Sequence, residues 1–199
     1  MLTFWFDVHS PWCYLAAQRV ANLARKHRID LLWRPLHLPR LMDAIGGMKP
    51  LEATAVRVAW FKQDILDWAE LQGMPFAYHP QYPLRNSRAL RACAYAADHG
   101  KGEAFTIRVL TAYWSEQGDI SDPGNLAVWA AQSGLDPQAT REAALSDFSK
   151  QRIDDNTDAA IARGVFGVPT VDTGTKLYFG NDRLDLLDRH LSSSGGSRS

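Results

Sequence analysis

Apolar residues stand at every second position from Leu2 through Phe4 and Phe6 to Val8, which is the period of a strand. After His9-Ser10 the period changes. Leu15, Ala16, Val20 and Leu23 recur at helical spacing and share one face. Proline suits the first helical position, where its missing N–H would be unpaired anyway. The helix is therefore expected from Pro11 to about His27, with Ser10 at the N-cap and Arg25, Lys26 and His27 crowding its C-terminal end. Ile29 to Leu38 reads as a second strand, which Pro35 and Pro39 restrict to an edge or to its far end. The resulting βαβ unit calls for a right-handed, parallel crossover.

From Arg40 to about Arg163 the pattern is helical throughout. Gly46-Gly47-Met48-Lys49-Pro50 reads as a loop. Between Leu51 and Leu71, Val58, Phe61, Ile65, Trp68 and Leu71 recur at steps of three or four. Val56, Ala59 and Trp60 widen that stripe, so this helix is expected to be buried on more than one side. Met74 to Leu84, with three prolines and two tyrosines, reads as an extended loop. An alanine-rich helix follows from Asn86-Ser87 to His99, then one from Phe105 to Ser115. Asp122-Pro123 and Asp136-Pro137 each place a capping residue before a first-turn proline and open two more. A last helix of this block spans Ser149 to Arg163. Val165 to Thr173 and Leu177 to Phe179 then read as short strands around Gly174, and Asn181-Asp182 caps a helix to about Leu191.

The order βαβ, helical block, α-β-β-α places both ends of the chain in one sheet. The fold class is α/β: a thioredoxin-like domain, residues 1–39 plus 150–191, carrying a large all-helical insertion at 40–149. The serine- and glycine-rich stretch 192–199 is expected to be a disordered tail.

Composition narrows the function. Twenty-two basic and 22 acidic residues give zero net charge, without the basic footprint of a nucleic-acid binder. No apolar run approaches a membrane span, and the N-terminus lacks the pattern of a signal peptide, so a cytoplasmic protein is expected. Two cysteines, Cys13 and Cys93, make no disulfide framework. The six histidines lack metal-ligand spacing, so no metal site is expected.

The chemistry concentrates at the first turn. Ser10-Pro11-Trp12-Cys13 has the shape of a Cys-X-X-Cys redox motif whose exposed first cysteine is serine. Such a pair forms no disulfide. One reading is that Ser10 only caps the helix. The other is that its hydroxyl, at the positive end of the helix dipole, holds an anion such as the thiolate of a ligand. His9 stands beside it as a candidate base, although neighbouring strand positions face opposite ways. Trp12, Trp60, Tyr78, Tyr82 and Trp114 are core residues or the lining of an aromatic pocket.

Two later segments fit the same site. Gly164-Val-Phe-Gly-Val-Pro-Thr170 precedes a strand. A cis bond at Val168–Pro169 would leave the backbone of Val168 open to a peptide-like ligand, as an added strand would pair. Gly180, Asn181 and Asp182, at a helix start, are either ordinary caps or the receptor of an α-amino-acid head group. In the second case backbone N–H groups take its carboxylate and Asp182 its ammonium.

Taken together, Phe6-Asp7 with Ser10-Pro11-x-x-Tyr14-Leu15-Ala16, the Gly164–Thr170 segment and Gly180-Asn-Asp-Arg-Leu184 resemble the 2-hydroxychromene-2-carboxylate isomerases. Those are relatives of kappa-class glutathione transferases and, further away, of periplasmic disulfide-forming oxidoreductases. The resemblance spans nearly the whole chain. It implies a dimeric, glutathione-dependent isomerase of naphthalene-type aromatic degradation, acting between 2-hydroxychromene-2-carboxylate and trans-o-hydroxybenzylidenepyruvate. By matching motif, Ser10 faces the glutathione sulfur, Val168 meets the tripeptide backbone, and Gly180, Asn181 and Asp182 hold the γ-glutamyl end. Lys49 lies near the ligands. Gly47, Arg85, Asn86 and Trp12 are assigned to the substrate. Cys13 departs from the small residue usual at its position, and Gly47 stands where some relatives carry asparagine.

The energetics suffice. Lowering a thiol pKa of about 8.5 by ~2 units needs about 2.7 kcal/mol. A hydrogen bond to a charged acceptor supplies roughly 1.5–3 kcal/mol, and a helix N-terminus adds about 0.3–1 kcal/mol. Rival readings are a kappa-like transferase, a thiol oxidoreductase working through Cys13, and a glutathione-binding module without catalysis.

Overall fold

A computed structural model describes residues 1–47 and 53–195. Lys49, with the rest of the expected loop from Met48 to Pro50, lies outside the described residues. The sheet has the order β2-β1-β3-β4. Strand β1 (Leu2–Phe6) pairs in parallel with β2 (Leu31–Pro35), from Leu2 opposite Leu31 to Phe6 opposite Pro35. It pairs antiparallel with β3 (Thr170–Asp172), which pairs antiparallel with β4 (Leu177–Phe179). As Pro35 requires, β2 is an edge strand that ends at that proline.

The alternation in β1 understates its burial. Leu2, Phe4, Trp5, Phe6 and Val8 are all buried, because helices cover both faces of the central strand. Phe4 and Phe6 stack at 5.5 Å and meet Trp33 edge-on at 5.1 and 6.0 Å.

Helix α1 (Pro11–His27) packs on α9 (Leu184–Gly195), and α2 (Leu38–Ile45) packs on α8 (Asp147–Arg163). Helix α2 is an addition to the expected elements. Its signal was the same as elsewhere, a proline in the first turn, with His37 Nδ1 accepting the Arg40 N–H. Of the insertion helices, α4 (Ser87–Asp98) packs on α5 (Gly102–Trp114), α7 (Pro137–Leu145), α8 and β2, while α6 (Pro123–Gln132) packs on α7. Asp122 and Asp136 cap α6 and α7 as their sequences require. The last helix runs to Gly195, past its expected end near Leu191 and into the stretch expected to be disordered.

Two expectations need correction. Helix α3 (Ala55–Leu71) is not buried on several sides: Val56, Trp60 and Leu71 are 82, 56 and 76 % exposed, and only Ile65 and Ala69 are buried. Its apolar stripe is wide, but one neighbouring helix, α1, meets a narrow part of it. The third strand is also shorter than Val165–Thr173, because residues 165–169 form the loop that enters it.

Candidate functional site

The strand directions bring the candidate segments to one end of the sheet. Strand β1 ends there and leads into Ser10. Strand β3 begins there, with Thr170 opposite Trp5, so the register continues Val168 towards Asp7. Strand β4 ends there, with Phe179 opposite Thr170, and delivers Gly180 to Asp182. The Gly180 N–H donates to the Pro169 carbonyl at 2.9 Å, which ties the last two segments together.

The turn bearing Ser10 is organised by Asp7, a residue the sequence reading used only as part of a motif. Asp7 is fully buried. Its Oδ1 accepts the His9 N–H at 2.9 Å and Asn86 Nδ2 at 2.7 Å, and its Oδ2 accepts the Leu38 N–H at 3.0 Å. Its backbone carbonyl accepts the Ser10 N–H at 3.0 Å. Trp114 Nε1 donates to the Val8 carbonyl at 2.9 Å, and His9 Nε2 bonds the Leu84 carbonyl. That contact makes Nε2 the donor, and the ring also stacks on Tyr113 at 6.0 Å. His9 thus serves to anchor the turn.

Ser10 occupies the N-cap of α1 in extended conformation, and its hydroxyl makes no capping bond. The capping reading therefore accounts for its backbone alone. Trp12 follows it, half-buried, in the first turn. Cys13 lies behind, completely buried. Burial pushes its thiol up to about 12, against smaller lowering contributions from the Asp7 backbone and the Ser10 side chain. Cys93 is likewise buried and pushed up to about 12 by burial. Both are free thiols. A neutral, sealed thiol is a poor nucleophile, so the geometry disfavours the oxidoreductase reading through Cys13.

Val168–Pro169 is cis, and the N–H and C=O of Val168 take no hydrogen bond within the described residues. Asn181 to Arg183 form a 3-10 turn before α9. Gly180 sits at φ +103°, and a Cβ there would lie 2.5 Å from Asp182 Oδ1, so only glycine fits. Asp182 is exposed and pairs with Arg183 at 2.7 Å. Asn181 is buried. Its Oδ1 accepts from Arg19 NH1 at 3.1 Å and from Gln72 Nε2 at 3.2 Å, while its Nδ2 has no partner. Gln72 is the second residue the sequence reading missed; nothing in its surroundings at the end of α3 marks it.

Of the residues assigned to substrate, Arg85 is exposed, forms no ion pair with a described residue and adjoins Leu84, the residue that anchors His9. Asn86 is buried against Asp7 and therefore shapes the turn. Gly47 is half-buried just beyond α2, and a Cβ there would meet Met42 Sδ at 3.0 Å. Tyr78, Tyr82 and Trp114 gather as one aromatic group with Phe76 and Tyr113, at centroid distances of 4.8–6.5 Å. Trp60 is not part of it; it stands exposed on α3 beside Phe61. An open hollow of about 520 Å³ between β4 and α9 includes none of these residues. Among the described residues no helix is long and apolar enough to cross a membrane.

Comparison with known proteins places this arrangement. The model of the DSBA-like thioredoxin domain family matches residues 1–192. A 2-hydroxychromene-2-carboxylate isomerase of Pseudomonas putida is 34% identical over 191 residues, 94% of this chain and 92% of that protein. Glutathione S-transferase kappa 1 of Rattus norvegicus is 24% identical, over 94% of this chain and 88% of its own. The solved structure of a 2-hydroxychromene-2-carboxylate isomerase superposes with a TM-score of 0.85 at 31% identity, covering 96% of this chain and 94% of that one.

Proposed function

Because this chain belongs to the DSBA-like thioredoxin family and, within it, to the 2-hydroxychromene-2-carboxylate isomerases, we propose that it is a glutathione-dependent isomerase. Its reaction interconverts 2-hydroxychromene-2-carboxylate and trans-o-hydroxybenzylidenepyruvate in cytoplasmic aromatic degradation. The observation that carries the reading is the hydroxyl of Ser10, which caps no backbone N–H at the start of a 17-residue helix and lies within hydrogen-bonding reach of the Cys13 thiol.

The residues present fit glutathione. Ser10 offers a donor at a helix N-terminus, Val168 a backbone N–H and C=O unpaired among the described residues, and the Gly180–Asp182 turn an exposed carboxylate. When bound, glutathione supplies a thiolate able to add reversibly to the conjugated substrate, which frees a double bond to rotate. Ser10 donates a hydrogen bond that favours the ionised sulfur, assisted by the positive end of α1. Val168 aligns the peptide as an added strand would. Gly180 and Asp182 hold the γ-glutamyl end. Arg85, a cation without an acidic partner among the described residues, takes the substrate carboxylate. Gly47, Asn86 and Trp12 shape the space around it. Asp7 keeps the turn in place.

The test is isomerisation of 2-hydroxychromene-2-carboxylate, followed by absorbance with and without glutathione. Loss of a charge-assisted hydrogen bond of roughly 1.5–3 kcal/mol predicts a fall of about 10- to 150-fold in Ser10→Ala, with little change in melting temperature because no capping bond is lost. Turnover without glutathione would overturn the thiolate mechanism. Glutathione binding without turnover would overturn the substrate assignment.

A further inference from the structure

Helix α9 divides its charges between two faces. Asp185 pairs with Arg19 at 3.0 Å, and Asp188 pairs with Lys26 at 2.7 Å and with His27 at 2.6 Å, so these carboxylates are committed to α1. Leu186, Arg189 and His190, at spacings of three and four, share another stripe and line the open hollow of about 520 Å³ between α9 and β4. From the strand side it is lined by Lys176, just before β4, and by Tyr178 in the middle of that strand. No acidic residue lines the hollow among the described residues. Lys176 and Arg189 are both exposed, and neither forms an ion pair with a described residue. Beside these two cations lie apolar surfaces: Leu186 is 54 % exposed, and the half-buried Tyr178 ring meets the His190 ring at 5.9 Å. Burial raises the Tyr178 phenol above its ordinary range, so the ring is neutral at physiological pH.

We propose that this hollow binds an aromatic carboxylate, with the carboxylate held by Arg189 and Lys176 and the ring laid against Tyr178 and Leu186. The volume falls within the roughly 300–1,000 Å³ of small-ligand sites. Each part of the lining asks for one part of that ligand. A guanidinium matches a carboxylate with two parallel hydrogen bonds, and an ammonium adds a second positive charge. A tyrosine ring prefers another ring, offset or edge-on. A small inorganic anion would answer the cations and leave Leu186 and Tyr178 uncovered; a neutral aromatic would do the reverse. The hollow also stands apart from the Ser10 end of the sheet, because Lys176 precedes β4 and Gly180 follows it. The assignment therefore does not rest on the glutathione reading.

The experiment titrates the full chain with benzoate and follows backbone amide chemical shifts. Shifts are expected at residues 176–178 and 186–190. The Kd should weaken about tenfold in Arg189→Gln, which loses a charge-assisted pair of hydrogen bonds, and about threefold in Lys176→Gln, which loses a more exposed point charge. Both substitutions are at exposed positions, so the variants should melt with the wild type. Acetate, which lacks the ring, and benzyl alcohol, which lacks the charge, should each bind about tenfold more weakly than benzoate. Shifts confined to the Ser10 end, or a Kd unchanged in both variants, overturn the site. Acetate binding as tightly as benzoate overturns the aromatic specificity.

Discussion

Two buried Asx side chains stand at the same end of the sheet and differ in one respect. Asp7, where β1 leaves the sheet, is 0 % exposed and has both carboxylate oxygens engaged by three donors. Asn181, where β4 leaves it, is 3 % exposed and has a satisfied oxygen beside an unmet N–H₂. Buried polar networks are demanding, because each unmade bond costs roughly 1–3 kcal/mol in desolvation. A network that closes on itself therefore holds architecture. One that stays open by a single donor and a single acceptor carries an unrelieved desolvation cost. Ser10 hangs from the closed network, and Gln72 and Arg19 meet at the oxygen of the open one.

The sharpest way to test this contrast is Asp7→Ala. It strands the N–H groups of His9 and Leu38 and the amide of Asn86, all within reach of buried surroundings. At roughly 1–3 kcal/mol for each unmet donor, the folded state should lose about 4 kcal/mol or more, read as a lowered denaturant midpoint at constant m-value. Asp7→Asn retains one acceptor and should fall between. A loss under about 1 kcal/mol in Asp7→Ala would mean that the turn does not depend on this carboxylate, and the contrast would fail on its closed side.

A second measurement asks whether that side stays closed in solution. With Cys13 and Cys93 pushed up to about 12 by burial, only about one thiol in ten thousand is ionised at pH 8. Native protein should resist alkylation at pH 8, and both thiols should react once denatured. The sign for stability follows. The unfolded thiols ionise near an ordinary 9 and the folded ones near 12, so this contribution is intact below pH 9 and is lost as pH rises through that interval. Ready labelling of Cys13 in the native protein would show that the turn opens on its own.

The sequence carried the closed region better than the open one. Strand period, Pro11 and Ser10 place the turn, and Asp122-Pro123 and Asp136-Pro137 place two helices, because these signals act within a few residues. Asp7 is visible as a carboxylate following an apolar strand, but its three partners lie 2, 31 and 79 residues away, and no local pattern counts them. Helix α3 misled for a related reason: an apolar stripe shows what a helix is able to bury, not whether a neighbour arrives to cover it. Gln72 left no trace at all, since a glutamine before Gly73 reads as the end of a helix. The role of Ser10 was legible only as a pair of alternatives, and its hydroxyl makes no capping bond in the structure.

The smallest expected effect is the most discriminating. In the free protein, Gln72→Leu removes an unmet buried acceptor as well as one hydrogen bond to an oxygen that Arg19 also serves. Loss of a bond worth about 1 kcal/mol net is offset by relief of a desolvation penalty of similar size, so stability should change by no more than about 0.5 kcal/mol. If Gln72→Leu instead costs the free protein as much as Asp7→Ala does, the two networks are alike, and Gln72 supports the fold.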